Sequence, residues 1–341
     1  MERLCLIQLN TTDPAWNLAA EQYVFDALPK DRSYLMLWQN DNAVIIGKYQ
    51  NTEAEINADF VAQKGIRVVR RLSGGGAVYH DLGNLNFTII TDAGSADSVS
   101  MKLFCEPIVR SLARFGVEAV ISGRNDISVD GKKFSGNAQY RRNGRVMHHG
   151  TILFDSDLET VQKALHVNAE KIRSKGVSSV RSRVTNLKPY LPEGTTLEEF
   201  KEVLIREISL GGSVTRLNFR ESDREAIRQL REERYAARAW NYGGSPACTL
   251  LRRGRIEGCG TVELYLSTEK DRITDLQIRG DFFALGDPAL LEAALIGCRP
   301  EAGDCRKALV TKGIRTNQLI SGLDQEHFLS LLCGSVGAGS F

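Results

Sequence analysis

Residues 70–84 read Arg-Arg-Leu-Ser-Gly-Gly-Gly-Ala-Val-Tyr-His-Asp-Leu-Gly-Asn, and their types suggest a backbone cradle for an anion. Gly74, Gly75 and Gly76 carry no Cβ, so a ligand can lie directly against main-chain N–H groups. Arg70 and Arg71 add permanent positive charge with planar donor forks suited to phosphate or carboxylate. The common nucleotide fingerprints do not fit. No Lys-Ser/Thr pair closes a Walker loop here, and Tyr79 stands where the dinucleotide motif needs its third glycine. On these residues alone, a plain glycine turn with arginines along a solvated edge is equally open.

A second group of residues lies in a hairpin. Asp130-Gly131 is a strong two-residue turn signal, and it pairs Val129 with Lys132, Ser128 with Lys133, Ile127 with Phe134, and Asp126 with Ser135. Ile127, Val129 and Phe134 then form an apolar face with Lys132 at its rim. The opposite face carries Asp126, Ser128, Lys133 and Ser135. Of the two adjacent lysines, Lys133 is thus the one aimed into a polar site, and a one-residue slip would exchange them. Such a lysine can hold a carboxylate oxygen and an α-phosphate together while charge redistributes, although an ordinary exposed strand lysine fits as well. Asn125 and Asp126 beside it suit base or metal–water contacts. His148 and His149 are adjacent on a predicted strand, so they point to opposite faces and cannot share one metal.

Positioning these groups requires a mixed scaffold. Strands are expected at 4–9, 34–38, 44–46, 66–69, 85–91 and 117–121, followed by hairpins at Asp130-Gly131 and Asn143-Gly144. Helices are expected at 14–28, with Trp16, Ala19, Ala20, Tyr23, Val24 and Ala27 on one face, and at 101–115. Between 157 and 238 helices dominate, apart from an irregular basic stretch. Strict βαβ alternation is absent, so the fold class is α+β: a large domain of mixed sheets flanked by helices, then a small C-terminal α/β domain. The Gly- and Pro-bearing break Tyr242–Pro246 marks the boundary, giving domains 1–242 and 248–341 with a linker at 243–247. Beyond it, strands at 255–266 and 272–278 should pair around Lys270-Asp271, with helices at 289–296, near 306–310 and at 324–332.

A net charge of +2 over 341 residues gives no basic field, so composition offers no case for nucleic acid. No apolar run reaches membrane-span length, and the first ten residues are unlike a signal peptide. Seven cysteines with no Cys-x-x-Cys pair fit free thiols in a reducing cytoplasm, not a disulfide framework or structural zinc. A soluble cytoplasmic protein is expected.

The residues also resemble a known family. The run from Arg70 to Asn84, Ser-Gly-Arg-Asn-Asp from Ser122, Lys-Phe-Ser-Gly from Lys133, His-His-Gly-Thr from His148, Lys-Gly-Val-Ser-Ser-Val-Arg-Ser-Arg-Val-Thr-Asn-Leu from Lys175 and Trp-Asn-Tyr-Gly from Trp240 together resemble the lipoate–protein ligases. These are a branch of the biotin/lipoate attachment-enzyme superfamily. Gly280-Asp281-Phe282-Phe283 resembles the accessory domain of the larger members. The resemblance implies two steps: lipoate and ATP give lipoyl-adenylate and pyrophosphate, then a lysine of a lipoyl domain takes the acyl group. It implies Arg71 on the nucleotide, the main chain of Gly76, Ala77, Val78 and Tyr79 around adenylate, and Lys133 bridging acyl carbonyl and phosphate. Ser73, Gly74 and Gly75 border the acyl group, and His80, Asn125, Asp126 and His149 complete the binding set. Magnesium is implied on the ATP phosphates, with Asp126 the one protein ligand suggested.

The implied acceptors are 2-oxoacid dehydrogenase acyltransferase subunits, glycine-cleavage H protein, or both, met by a monomer. The basic segment with Lys171, Arg173, Lys175, Arg181 and Arg183 is expected to help receive an acidic lipoyl domain, a solvated loop being the alternative. Rival readings are an acyltransferase working through a cysteine thioester, a non-catalytic lipoate or nucleotide binder, and a biotin ligase. No cysteine lies between Cys105 and Cys248, which disfavours the thioester route.

Overall fold

The computed structural model describes residues 4–92, 100–123, 125–166, 184–243 and 248–334. Arg124, the basic segment 171–183 and linker residues 244–247 lie outside the described residues. Two units emerge: Met1–Ile46, Glu55–Leu72 and Ala77–Asn241 form one, and Gly47–Ala54, Ser73–Gly76 and Tyr242–Phe341 the other.

In the first unit, alternation of apolar side chains builds a sheet buried on both faces. Its strands are β1 (Leu4–Gln8), β2 (Ser33–Trp38), β3 (Ala43–Ile46), β4 (Arg67–Arg70), β5 (Val78–His80), β6 (Asn84–Asp92), β7 (Val120–Ser122), β8 (Asp126–Val129), β9 (Lys132–Arg142), β10 (Arg145–Leu153) and β11 (Val214–Arg216). Eight of them line up as β11-β1-β2-β6-β10-β9-β8-β7, while β4-β3-β5 form a separate small sheet. Leu4, Leu6, Leu35, Leu37, Leu85, Phe87 and Ile89 face one core, which also takes Phe104, Ile108 and Leu112 of helix Met101–Ala113 and Phe200, Leu204 and Ile208 of helix Leu197–Ile208. Cys5, Ile7, Tyr34, Met36, Trp38 and Ile90 face the opposite core, under helix Pro14–Ala27. That helix starts where the sequence says it must, with Pro14 at its first turn and the Asp13 carboxylate accepting from Ala15 N–H.

The departures from expectation have local causes. Helix Pro14–Ala27 is buried around most of its circumference, including Asn17, Glu21 and Gln22, while the expected face residue Ala27 is exposed. The strand expected at 117–121 begins only at Val120, because Val117 N–H still closes the preceding helix on Leu112 O through Gly116 at φ +76°. Among the mainly helical residues after 157, short β11 adds a parallel edge to β1. Both expected hairpin turns form, with Asp130, Gly131, Asn143 and Gly144 all at positive φ.

The lysine hairpin pairs Val129 with Lys132 and Ser128 with Lys133, then a bulge shifts the register to Ile127 with Ser135 and Asp126 with Gly136. The expected pairs Ile127–Phe134 and Asp126–Ser135 are therefore wrong by one residue. A bulge sets two residues against one, which no turn signal announces. Ile127, Val129 and Phe134 are still buried together, but Ser135 joins the buried side at 1% exposure.

In the second unit, β12 (Leu250–Ile256), β13 (Gly260–Glu269) and β14 (Arg272–Gly280) form an antiparallel sheet in that order. The single strand expected at 255–266 is broken at residues 257–259, where Cys259 N–H turns back to Ile256 O. Helices Ala289–Leu295, Ala302–Thr311 and Gln325–Cys333 cover the sheet, burying Leu291, Leu295, Leu309, Phe328 and Leu332. Residues 47–54 and 73–76 belong here through main-chain bonds: Gly280 N–H donates to Tyr49 O, and Gly75 N–H to Phe282 O.

Candidate active site

Lys133 lies on β9 with its Nζ 2.7 Å from Asp126 Oδ1, and the two side chains are 34% and 18% exposed. Its main chain is tied on the far side, where Thr185 N–H donates to Lys133 O at 2.9 Å. Lys132 is exposed. Asn125 and Asn137 bond reciprocally: Asn125 Nδ2 donates to Asn137 O at 2.8 Å, and Asn137 Nδ2 to Asn125 O at 3.1 Å.

His148 and His149 point to opposite faces. His148 stacks on Phe104 at 4.8 Å, while His149 Nδ1 meets Glu21 Oε1 at 2.8 Å. The same Glu21 oxygen accepts from Thr88 Oγ1 at 2.6 Å, and Thr88 accepts from Trp38 Nε1 at 3.0 Å. Arg71 is buried in this neighbourhood. Its Nη1 donates to Ile45 O, and its guanidinium is lowered to about 10 by burial, with Glu21 opposing and Arg70 reinforcing the shift.

His80 is 3% exposed, and burial, then Arg71 and His149, lower its ring to about 3. Asn40 Nδ2 sits 3.1 Å from His80 Nδ1. Asn40 Oδ1 accepts from Asn17 Nδ2, so its amide nitrogen faces His80 and leaves the proton on Nε2. Among the described residues, that Nε2 has no hydrogen-bond partner, which makes it a buried, unmatched donor. Val78 and Tyr79 pair with β3, and Ala77 is half-buried just before them.

Arg70 does something other than bind an anion. Its Nε and Nη2 donate to Trp240 O and Asn241 O, its N–H to Asn241 Oδ1, and its carbonyl accepts from Trp240 Nε1. It fastens the chain immediately before the linker.

In the second unit, the glycine run is engaged by its own surroundings. A Cβ on Gly74 would lie 2.2 Å from Phe282 O, so only glycine permits this approach. Lys48 N–H donates to Ser73 O, and Tyr49 stacks on Phe282 at 5.0 Å.

Two family descriptions match the chain: Lipoyl protein ligase A/B catalytic domain over residues 13–209, and Bacterial lipoate protein ligase C-terminus over 245–332. Lipoate-protein ligase LplJ of Bacillus subtilis is 44% identical over 326 residues, covering 95% of this chain and 98% of that protein. The chain belongs to the lipoate–protein ligase family. Lipoate–protein ligase 1 of Staphylococcus aureus is 42% identical, covering 88% of this chain and 91% of its own. Plasmodium falciparum LipL1, solved in complex with lipoate, shares the fold at a TM-score of 0.77 and 22% identity, covering 97% of this chain and 98% of that one. A lipoate-protein ligase A bound with ATP matches at a TM-score of 0.62 and 28% identity, covering 72% of this chain and 100% of that one.

Cys105, the cysteine nearest Lys133 in sequence, is not set up to carry a thioester. Cys105 is fully buried in the core, and burial, with Asp126 and Glu106 adding to it, pushes its thiol up to about 12. For magnesium, no group of three or more His, Cys, Asp or Glu among the described residues could hold an ion. Asp126 is one carboxylate, 18% exposed and already paired with Lys133, so it could give such an ion at most one protein ligand, the rest of the shell being phosphate and water. Among the described residues, no helix is long and apolar enough to cross a membrane.

Glu21, Thr88, Trp38, Asn40 and Asn137 were not anticipated. The one signal is Glu21, an acid placed directly after Leu18, Ala19 and Ala20 on the helix.

Proposed function

We propose that this ligase joins the carboxylate of lipoate to the α-phosphate of ATP, with pyrophosphate leaving, at the Lys133 side of the β8–β9 hairpin. The amine of an acceptor lysine then attacks the acyl carbon, and AMP departs with the electrons of the broken acyl–phosphate bond. Two anions must meet in the first step, so cations and aimed N–H donors have to offset the growing charge.

Lys133 supplies the mobile cation: its amine, poised on a rigid strand against Asp126, can turn to an acyl carbonyl and a phosphate oxygen. Arg71 supplies a fixed one. The main chain of Ala77, Val78 and Tyr79 lies along adenylate. His80 Nε2–H is a ready donor, and Asn125 and His149 complete the set. Magnesium on the ATP phosphates would be held by Asp126 and would supply charge neutralisation for pyrophosphate departure.

The observation that carries this reading is the Lys133–Asp126 pair at 2.7 Å on the polar side of the hairpin. The acceptors are lipoyl domains of 2-oxoacid dehydrogenase acyltransferase subunits or glycine-cleavage H protein. The ligase works as a cytoplasmic monomer of domains 1–242 and 248–341; its seven free cysteines suit that compartment. Pyrophosphate release with lipoate and ATP, followed by a lipoyl mass increase on an acceptor domain, tests the sequence of steps. Equal release with biotin in place of lipoate would overturn the substrate assignment.

A further inference from the structure

His148 is fully buried, and the binding scheme gives it no role. Its ring is nevertheless hydrogen-bonded at both nitrogens. Gln139 Nε2 approaches His148 Nδ1 at 3.3 Å, and Gln139 Oε1 already accepts from Arg141 Nη2 at 2.9 Å. The amide nitrogen therefore donates, Nδ1 accepts, and the ring proton sits on Nε2. That Nε2–H meets Asn137 Oδ1 at 3.2 Å. Burial holds the ring well below its ordinary pKa, so it is neutral.

With its oxygen fixed by His148, Asn137 must point its amide nitrogen to Asn125 O at 3.1 Å and Ser135 Oγ at 3.3 Å. Asn137 N–H also donates to Asn125 O at 2.9 Å. The space for this amide exists because the cross-strand neighbour is Gly150, whose Cβ would lie 2.4 Å from Asn137 Oδ1. Asn125 immediately precedes Asp126, which grips Lys133 at 2.7 Å. The polar chain thus runs from the core to the Lys133 amine.

We propose that His148 and Asn137 are positioning residues that fix the Asn125–Asp126 main chain and so place Lys133 for acyl-adenylate formation. The inference rests on the role given to Lys133 above. Without the His148 donor, the Asn137 amide is free to rotate, the Asn125 carbonyl loses its side-chain donor, and the carboxylate beneath Lys133 loosens. A misplacement of about 1 Å in such a supporting shell can cost about 100-fold in rate.

The test measures pyrophosphate release with lipoate and ATP for His148→Leu, Asn137→Ser and His148→Gln, alongside circular dichroism. His148→Leu and Asn137→Ser should each lower kcat at least tenfold, with KM for both substrates within threefold. His148→Gln, whose amide can donate to Asn137 and accept from Gln139, should recover to within about threefold of the wild type. Folded His148→Leu turning over at the wild-type rate overturns the proposal, as does His148→Gln failing as badly as His148→Leu. Imidazole nitrogen NMR of the wild-type protein decides the matter if the variants do not fold: Nε2–H is required, and an Nδ1–H tautomer refutes the chain. If Lys133→Ala is itself active, the reading of Lys133 fails and this inference falls with it; an inactive Lys133→Ala beside a His148→Leu protein at the wild-type rate overturns this inference alone.

Discussion

Replacing Lys133 with alanine should remove acyl-adenylate formation while leaving the fold intact. The side chain is 34% exposed and its partner Asp126 18%, so the ion pair stabilises the protein by no more than about 1 kcal/mol. Kinetics should suffer more. A preorganised donor aimed at charge that develops in the transition state contributes about 3–4 kcal/mol, or about 10²–10³ in kcat. Lys132→Ala is the matched control: the residue is exposed at the hairpin turn, and its loss should change stability by less than about 0.5 kcal/mol and the rate by about twofold at most. Pyrophosphate release under saturating lipoate and ATP measures both, with thermal melts run in parallel. Similar losses from the two alanines, or a Lys133→Ala protein retaining most of its activity, would refute the assignment of Lys133 as the cation that holds carbonyl and phosphate.

Three further outcomes are expected. Alkylation of accessible thiols should leave activity in place, since Cys105 is buried with its thiol pushed up to about 12; inactivation traced by mass spectrometry to one cysteine would revive the thioester route. Stability should fall as pH drops below about 6.5 and keep falling towards about 3, because His80 is held near 3 when folded but takes a proton near 6.5 when unfolded. Each such histidine costs about 1.4 kcal/mol per pH unit in that window, so His80→Gln should flatten the acid limb of a melting-temperature profile. Arg70→Met should destabilise by about 2–4 kcal/mol in urea unfolding by orphaning the Trp240 and Asn241 carbonyls, and an unchanged midpoint would show that this anchor carries no weight.

Much of the scaffold was legible because it rests on local rules. Asp13-Pro14 announced a helix start, and Asp130-Gly131 and Asn143-Gly144 announced the two turns that present Lys133 and His149. The bulge at Phe134 was not legible, since its only determinant is how β8 and β9 settle on a shared core. Glu21, Thr88 and Asn137 escaped for a related reason: each is an ordinary polar residue, and only the tertiary fold shows which partner compensates its burial. Arg70 illustrates the converse. Its chemistry suited an anion, yet the fold uses its donor fork on the main chain of Trp240 and Asn241.

The short piece Ser73–Gly76 is stitched to Phe282, more than two hundred positions along the chain, by the Gly75 N–H bond to its carbonyl. A protein cut after residue 242 would keep the glycines but lose the carbonyl that Gly75 grips and the ring on which Tyr49 rests. Modularity in the sequence is therefore not modularity in the folded object. Recombining halves from different relatives should succeed only when both sides of that seam come from the same parent.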